Sequence, residues 1–273
     1  VKLEIRGVTK TFQSKNGALT ALDAIDLDVQ PGEFVCLLGP SGCGKSTLLN
    51  IIAGLDAPTR GQVRVEGKIV TRPGPDRVMI FQSAALFPWL SVFDNVKFGL
   101  NMIGVPKPAR QVIARKYLQM VHLADFERAS VHELSGGMKQ RVAIARALAA
   151  DPDVLLMDEP FGALDAQTRD LLHDELQTIW TETRKTIVFV THNVREAVVL
   201  GDRVVVFSAR PGRIKKIFTI DLPRPRQIES YAVVDLAREI MAELKEDVLA
   251  SVHDPQVSWL QGMEAQRVGD DVL

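Results

Sequence analysis

The chain has 273 residues, 46% of them apolar and 25% charged, and a formal net charge of −1. That is enough apolar surface for a full core in one large domain or two small ones, and the balanced charge offers no basic field for nucleic acid, so DNA and RNA are not expected partners. No apolar run approaches the roughly 18 residues of a membrane span, the opening Val1-Lys2-Leu3-Glu4 lacks the pattern of a signal peptide, and Cys36 and Cys43 form neither a metal-ligand spacing nor a disulfide framework. The expected compartment is the reducing cytosol.

The opening is read as β. Leu3, Ile5 and Val8 mark a short strand, and Ile25-Asp26-Leu27-Asp28-Val29 alternates as a half-buried antiparallel strand does. Pro31-Gly32 then turns the chain into Phe34-Val35-Cys36-Leu37-Leu38, an unbroken apolar run of the kind a parallel strand buried on both faces requires. Next comes Gly39-Pro40-Ser41-Gly42-Cys43-Gly44-Lys45-Ser46-Thr47, a glycine, four free positions and Gly-Lys-Ser. Leu48, Leu49, Ile51 and Ile52 place a short helix after it, which Gly54 closes. Strand, glycine loop and helix aim the loop amides and the helix N-terminus at one point, and phosphate is favoured there. Lys45 is expected to reach the β- and γ-phosphates as a point charge and the Ser46 hydroxyl to ligate Mg²⁺. Cys43 is read as a small side chain tolerated at a free position, with a redox-sensitive thiol near the phosphates as the alternative.

Gln62 to Val65 alternates, and Arg77 to Phe81 runs up to Gln82 after the Pro73-Gly74-Pro75 turn; with the opening strands these are expected to form an antiparallel layer. From about Ser83 to Ala150 helical periodicity replaces the strand signal, which predicts a helical insert. Pro108 starts one of its helices, with Val112, Ile113, Tyr117, Leu118 and Val121 on one face. The parallel pattern resumes with Val154 to Met157, Thr186 to Val190, and Arg203 to Phe207 as the last strand. Between the first two lies a helix with the stripe Leu171, Leu172, Leu176, Ile179 and Trp180, and Gly201 closes the helix before the last strand. The fold class is therefore α/β with right-handed crossovers. Past Leu222-Pro223-Arg224-Pro225-Arg226, the residues Val233, Leu236, Ile240, Leu244 and Val248 mark an amphipathic helix, packed on the core or on a second copy, and the last dozen residues are polar enough to fray.

The chemistry concentrates at strand ends. The run Val154 to Met157 ends in Asp158-Glu159, two carboxylates at the edge where ligand sites of open α/β sheets lie. Asp158 is expected to orient Mg²⁺ or its waters, and Glu159 to accept a proton from attacking water. The next strand ends in Thr191-His192, so His192 should emerge beside Glu159 and hydrogen-bond the γ-phosphate. A second anion site is written in Leu134-Ser135-Gly136-Gly137-Met138-Lys139-Gln140-Arg141: Ser135 caps a helix carrying Val142, Ile144, Ala145 and Leu148, and two glycines uncover its first amides. One phosphate loop has no use for a second anion site.

On these motifs the chain resembles the ATP-binding cassette family, whose signature begins Leu-Ser-Gly-Gly; Met138 stands here where Gln is usual. The resemblance runs from Leu3 to about Arg226. It implies a P-loop NTPase (RecA-like) core with an N-terminal antiparallel β layer, a cassette domain over residues 1–222 with a helical subdomain of about 83–150, and a helical tail over 223–273. It implies ATP hydrolysis with Mg²⁺ and two cassettes stacked head to tail. Ser135, Gly136, Gly137 and Gln140 of one cassette then meet the ATP held by residues 39–47 of the other. The family pattern assigns Gln82 to Mg²⁺ and γ-phosphate sensing and Asp165, in Gly162-Ala163-Leu164-Asp165, to the dimer contact, alongside an N-cap role. It assigns Phe12 to adenine stacking, with a core aromatic beside a strand as the alternative. Phe87-Pro88-Trp89-Leu90-Ser91-Val92-Phe93-Asp94-Asn95-Val96, Pro73 to Arg77 and Ala209-Arg210-Pro211-Gly212-Arg213-Ile214 are similar to the ATPases of importers for nitrate, sulfonates, taurine and bicarbonate. Such an ATPase is peripheral on the cytoplasmic face of the membrane, pairs with itself or a close relative, carries two permease subunits and serves an extracytoplasmic binding protein. Leu86, Phe87, Trp89 and Phe93 would then either line the groove for the membrane subunit or form the insert's own core. A cassette acting on DNA or ribosomes would carry a long coiled-coil insertion or a second cassette, a small-molecule kinase would not need residues 134–140, and an exporter would often carry Glu-Arg-Gly where Ala129 to Glu133 stand.

Overall fold

The structure, a computed structural model, describes residues 1–14 and 17–252. The polar C-terminal residues expected to fray lie outside the described residues. The chain opens with a hairpin, β1 (Leu3–Ser14) and β2 (Gly17–Val29), far longer than the short strand the sequence suggests. Leu3 faces Val29 and Ser14 faces Gly17, with register shifts between Ile5 and Thr11. Those bulges interrupt the period-2 pattern, so only Leu3, Ile5 and Val8 show it. The central strand β3 (Phe34–Leu38) leads through the glycine loop into α1 (Lys45–Ala53), which Gly54 caps at φ 79°.

Strand β4 (Arg60–Val65) pairs with β1, and the two-residue β5 (Lys68–Ile69), which the pattern does not reveal, completes an antiparallel sheet in the order β2-β1-β4-β5. The expectation that Arg77 onwards joins that sheet is corrected. Strand β6 (Arg77–Ile80) pairs in parallel, Arg77 facing Val154, at the edge of the other sheet.

The helical layer follows. Helix α2 (Val92–Met102) starts at Ser91, whose hydroxyl accepts from the Asp94 amide; α3 (Lys107–Met120) carries Pro108 in its first turn; and α4 (Gly136–Ala149) starts at Ser135. On the apolar face of α3, Leu118 and Val121 are buried with Ala114, and Ile113 and Tyr117 pack partly buried beside them, whereas Val112 is 70% exposed.

The parallel core resumes with β7 (Val154–Asp158), α5 (Ala166–Thr183), β8 (Thr186–Thr191), α6 (Val194–Leu200) and β9 (Arg203–Phe207). Asp165 caps α5 by accepting from the Thr168 amide at 2.9 Å. Leu171 is exposed; the buried stripe is Leu172, Leu176, Ile179 and Trp180, interleaved with buried His173 and Gln177. Arg203 to Phe207 is not the last strand, because β10 (Ile214–Thr219) returns antiparallel beside it. The second sheet runs β10-β9-β3-β8-β7-β6. Its strands alternate faces: Val35, Leu37, Leu156, Val188 and Val205 pack with the antiparallel layer and α1, while Phe34, Cys36, Leu155, Phe189 and Val204 pack with the helices. A strand buried on both sides must be apolar at every position, which is why these runs are legible in the sequence.

The final helix α7 (Tyr231–Val252) buries Val233, Ile240 and Leu244 in the same core and packs on α6; Val248 is exposed. The connection to it is fastened by Arg226, 5% exposed, whose guanidinium donates to the carbonyls of Val198, Gly201, Ile220 and Leu222. Burial, and then the nearby Arg224 charge, bring the Arg226 pKa down to about 10. These carbonyls include those ending α6, where a cation is favoured.

Candidate active site

Register brings the chemistry to one edge. Leu38 of β3 faces Thr191 of β8, and Val190 of β8 faces Asp158 of β7. Residues 39–47, Asp158-Glu159 and Thr191-His192 therefore leave the sheet side by side, at the carboxyl ends of its parallel strands.

The loop is shaped by close approach. Gly44 has φ 98° and precedes α1; a Cβ there would lie 2.7 Å from the Leu22 side chain and 2.9 Å from the Ala21 carbonyl oxygen. Only glycine satisfies both the dihedral and the space. Within the loop, Gly39, Pro40, Cys43, Lys45 and Thr47 are buried and Ser41 is exposed. The Lys45 ammonium donates to the carbonyls of Gly39 (2.8 Å) and Pro40 (2.9 Å) and lies 3.7 Å from Cys43 Sγ. Burial raises the Cys43 thiol pKa, which keeps it protonated and unreactive, in keeping with a packing role.

Ser46 Oγ donates to Asp158 Oδ1 at 2.9 Å, so a hydroxyl and a carboxylate converge at the mouth of the loop. Hard oxygen donors in this number suit Mg²⁺, which takes one or two carboxylates and completes its shell with water and phosphate. Among the described residues no group of three or more His, Cys, Asp or Glu could hold a metal on its own.

Glu159 follows at φ 44°, a left-handed conformation that costs an ordinary side chain about 1–2 kcal/mol. Its amide donates to the Val190 carbonyl at 3.1 Å, which holds the turn, and its carboxylate accepts from His192 Nδ1 at 3.0 Å. Burial opposes ionisation of Glu159, but the His192 hydrogen bond and the charges of His192 and Lys45 outweigh it, and the pKa lies below the usual carboxylate value. His192, 59% exposed, is shifted upward, chiefly by the same hydrogen bond. Gln82 closes the group: a Cβ on Gly162 would lie 3.1 Å from Gln82 Nε2 and 3.7 Å from Glu159 Oε2.

Beneath His192 lies a buried network that sequence reasoning missed. Thr191 Oγ1 donates to Glu196, Glu196 shares a 2.7 Å hydrogen bond with His173 Nε2, and the Asn193 side chain caps α6. The signal available was Asn193-Val194-Arg195-Glu196, a cap residue with an acid three positions on. Nothing in the sequence marks His173.

The second anion site expected at α4 lies on another layer: Val142, Ile144 and Leu148 of α4 belong to the core on the helical side of the sheet, while Leu48, Leu49, Ile51 and Ile52 of α1 belong to the core on its other face. Ser135 and Gly136 are exposed, and Ser135 Oγ accepts from the Met138 amide at 3.3 Å. A Cβ on Gly137 would lie 2.6 Å from the Thr168 side chain of α5, so this glycine also serves packing within the chain. Gln140 does not share the exposure of Ser135: it is 3% exposed, on the inner side of α4, with Nε2 lacking a hydrogen-bond partner. Phe12 is half-buried on β1 opposite Leu19, with the Lys10 ammonium 5.0 Å from its ring centre. Trp89 is 76% exposed and packs with its ring tilted against Phe87, which also meets Phe98; Leu86, Phe87 and Phe93 are half-buried.

Phosphate is the ligand that a glycine loop on a helix N-terminus, backed by a buried lysine, is suited to hold, and with the parallel sheet behind it this is the build of a P-loop NTPase. The family model described as ABC transporter matches residues 22–162. An uncharacterised ABC transporter ATP-binding protein of Methanocaldococcus jannaschii is 54% identical over 252 residues, 92% of this chain and 94% of that protein. A nitrate import ATP-binding protein of Synechocystis is 50% identical over 87% of this chain and 89% of its own length. For a taurine import ATP-binding protein of Burkholderia thailandensis the figures are 49%, 89% and 91%. Among solved structures, a dimeric ATP-binding cassette in a post-hydrolysis state with ADP and Pi superposes with a TM-score of 0.70 at 33% identity, covering 81% of this chain and all of that one. The chain belongs to the ABC transporter family and is an ATPase of that family.

Proposed function

We propose that this chain is the ATP-hydrolysing subunit of an importer for a small, mostly anionic solute of the nitrate, sulfonate, taurine or bicarbonate class. The observation that carries the reading is the near-50% identity, along almost the whole chain, to ATP-binding proteins of nitrate and taurine import. Among the described residues no helix is long and apolar enough to cross a membrane, so the path for the solute would belong to separate membrane subunits. The chain would sit on the cytoplasmic face of the membrane beneath them and be served by an extracytoplasmic binding protein.

The chemistry follows from the site. On binding ATP, Lys45 trades the Gly39 and Pro40 carbonyls for oxygens of the β- and γ-phosphates, and the loop amides hold the remainder. Mg²⁺, held by Ser46, Asp158 and Gln82, would neutralise charge on the phosphate oxygens. Glu159, whose carboxylate form the contact with His192 favours, orients a water and takes its proton; the water oxygen bonds to the γ-phosphorus as the bond to the ADP oxygen breaks. His192 holds that carboxylate in line through Nδ1.

The exposed start of α4 has no phosphate within its own cassette to serve. Two copies, or one copy and a close relative, therefore pair so that Ser135, Gly136 and Gly137, with Gln140 behind them, cap the partner's ATP, and Asp165 meets the partner at the start of α5. A closed pair with ATP bridging both cassettes gives the nucleotide its different affinity for closed and open states, which is what a ligand needs to drive motion. Trp89, projecting beside Phe87 and Phe98, is the anchor for the membrane subunit.

Affinity capture of the full chain from membranes of its source tests this reading. The parent should copurify with integral membrane proteins and Trp89→Ala should recover at least about tenfold less, the loss expected of one aromatic anchor. Equal recovery would remove Trp89 from the interface, and capture of no membrane protein by the parent would contradict the importer assignment.

A further inference from the structure

The segment Ser208 to Arg213, between β9 and β10, takes no part in the chemistry above, yet it is wedged against the phosphate loop. Gly212 is the tightest point: a Cβ there would lie 2.0 Å from the Cys43 carbonyl oxygen and 3.2 Å from that of Ala21. Only a hydrogen fits. The Gly212 amide donates to Ala21 at 2.9 Å and its carbonyl accepts from Asp23 at 3.0 Å, so the segment bridges to Leu22, whose side chain in turn closes on Gly44. From the same segment Arg210 donates to the Gly42 carbonyl through Nε (3.3 Å) and Nη2 (3.0 Å).

Two successive loop carbonyls, those of Gly42 and Cys43, are thus backed from one flank. A trans peptide is planar, so fixing the direction of a carbonyl fixes the N–H of the next residue in the opposite direction. The amides concerned are those of Cys43 and Gly44, in the part of the loop that leads into α1. Their orientation is therefore set from outside the loop.

The far side of the segment is held by the C-terminal helix. The Ala209 amide donates to Asp247 Oδ1 at 2.9 Å. Lys215 secures the same carboxylate through Oδ2 at 2.7 Å and also donates to the Glu243 carbonyl at 2.6 Å, while Lys216 pairs with the Glu243 carboxylate at 2.7 Å. Asp247, Ala209-Arg210 and Gly42 thus form a short connected path from α7 to the phosphate loop.

We propose that Asp247 is a positioning residue for the phosphate loop: by fixing the Ala209–Gly212 segment it sets the direction of the loop amides, and so makes nucleotide affinity depend on the seating of the C-terminal helix. A displacement of α7 that breaks the Ala209 contact frees the segment and weakens the hold on phosphate. The proposal rests on the reading of residues 39–47 as the nucleotide site.

The test uses the full chain, with MgADP binding followed by calorimetry and steady-state ATP hydrolysis on the same preparations. Asp247→Ala should raise the MgADP Kd and the KM for ATP together by about five- to tenfold, the scale of one ordinary net hydrogen bond, since the contact acts on the loop through the intervening segment, with kcat within about twofold of the parent. Asp247→Asn, which keeps an acceptor for the Ala209 amide, should bind MgADP as the parent does. Gly212→Ala should weaken binding further if it folds, and the Asp247 pair decides the matter if it does not. Parent-like Kd and KM in Asp247→Ala would overturn the proposal, as would a fall in kcat and melting temperature at unchanged KM, the signature of a purely structural contact. Lys45→Ala separates the two readings: it should lose MgADP, and if it binds normally, the nucleotide assignment of the loop fails and the proposal with it.

Discussion

The carboxyl edge of the parallel sheet and the N-terminus of α4 are both arranged to meet anions, and they differ in how far one chain completes them. At the sheet edge the main groups have partners in the same chain: Lys45 on two loop carbonyls, Ser46 on Asp158, Glu159 on His192. At α4, Ser135 caps a single amide and stands exposed beside Gly136. The sheet edge can bind a phosphate by itself. In the function proposed above, the helix start finishes a site whose phosphate is held by a second cassette, and that contrast is the physical content of the two-cassette proposal.

The largest expected effect falls on the complete half. Glu159→Gln keeps the shape of the turn but cannot accept a proton, so turnover should drop by about 10²–10⁴-fold, the range of a general base, with ATP binding retained. Pairs should then accumulate with ATP, visible as a doubled mass in size-exclusion chromatography. Hydrolysis at the parent's rate would move the base to another residue and blur the contrast between the halves.

A smaller effect sharpens the electrostatics of the same half. His192 is raised above its ordinary value, so the stabilisation it gains is complete below that value of 6.5 and is lost as pH rises through the folded-state pKa. Glu159 is lowered, so its share is present above its ordinary 4.5 and is lost as pH falls through the folded-state pKa. The pair therefore contributes most between about pH 4.5 and 6.5. In Glu159→Gln the His192 imidazole, followed by NMR, should titrate lower than in the parent; an unchanged titration would mean that the 3.0 Å contact is not what raises it.

The two halves also differ in how much the sequence disclosed. Residues 39–47 and the ends of β7 and β8 were legible because strands buried on both faces are continuous apolar runs, and a glycine loop or an acid pair stands out against them. The α4 cap was legible from Ser135 and the two glycines. What supports these groups was not. His173 lies within the apolar stripe of α5, three residues before Leu176, where a polar side chain reads as a break in the pattern, and the partner that satisfies it, Glu196, comes from another element. Gly212 reads as an ordinary turn glycine, and only the fold reveals the Cys43 carbonyl against it. The sheet membership of β6 was missed because four residues carry no mark of whether their neighbour runs parallel or antiparallel. Edge strand β10 was missed for a related reason: its Lys215 and Lys216 interrupt any apolar pattern, as charges on an edge strand often do.

The direct measurement is ATP hydrolysis per molecule as a function of protein concentration, for the parent and for Ser135→Arg. The parent's specific rate should rise in proportion to concentration at first, as the paired fraction of a dimerising protein does, and then level off, while Ser135→Arg should stay at least about 10²-fold lower at every concentration, the loss typical of removing a transition-state donor, yet bind MgADP as a monomer like the parent. A specific rate that does not change on dilution to strictly monomeric protein, with Ser135→Arg equally active, would contradict the claim that the exposed start of α4 completes the partner's site.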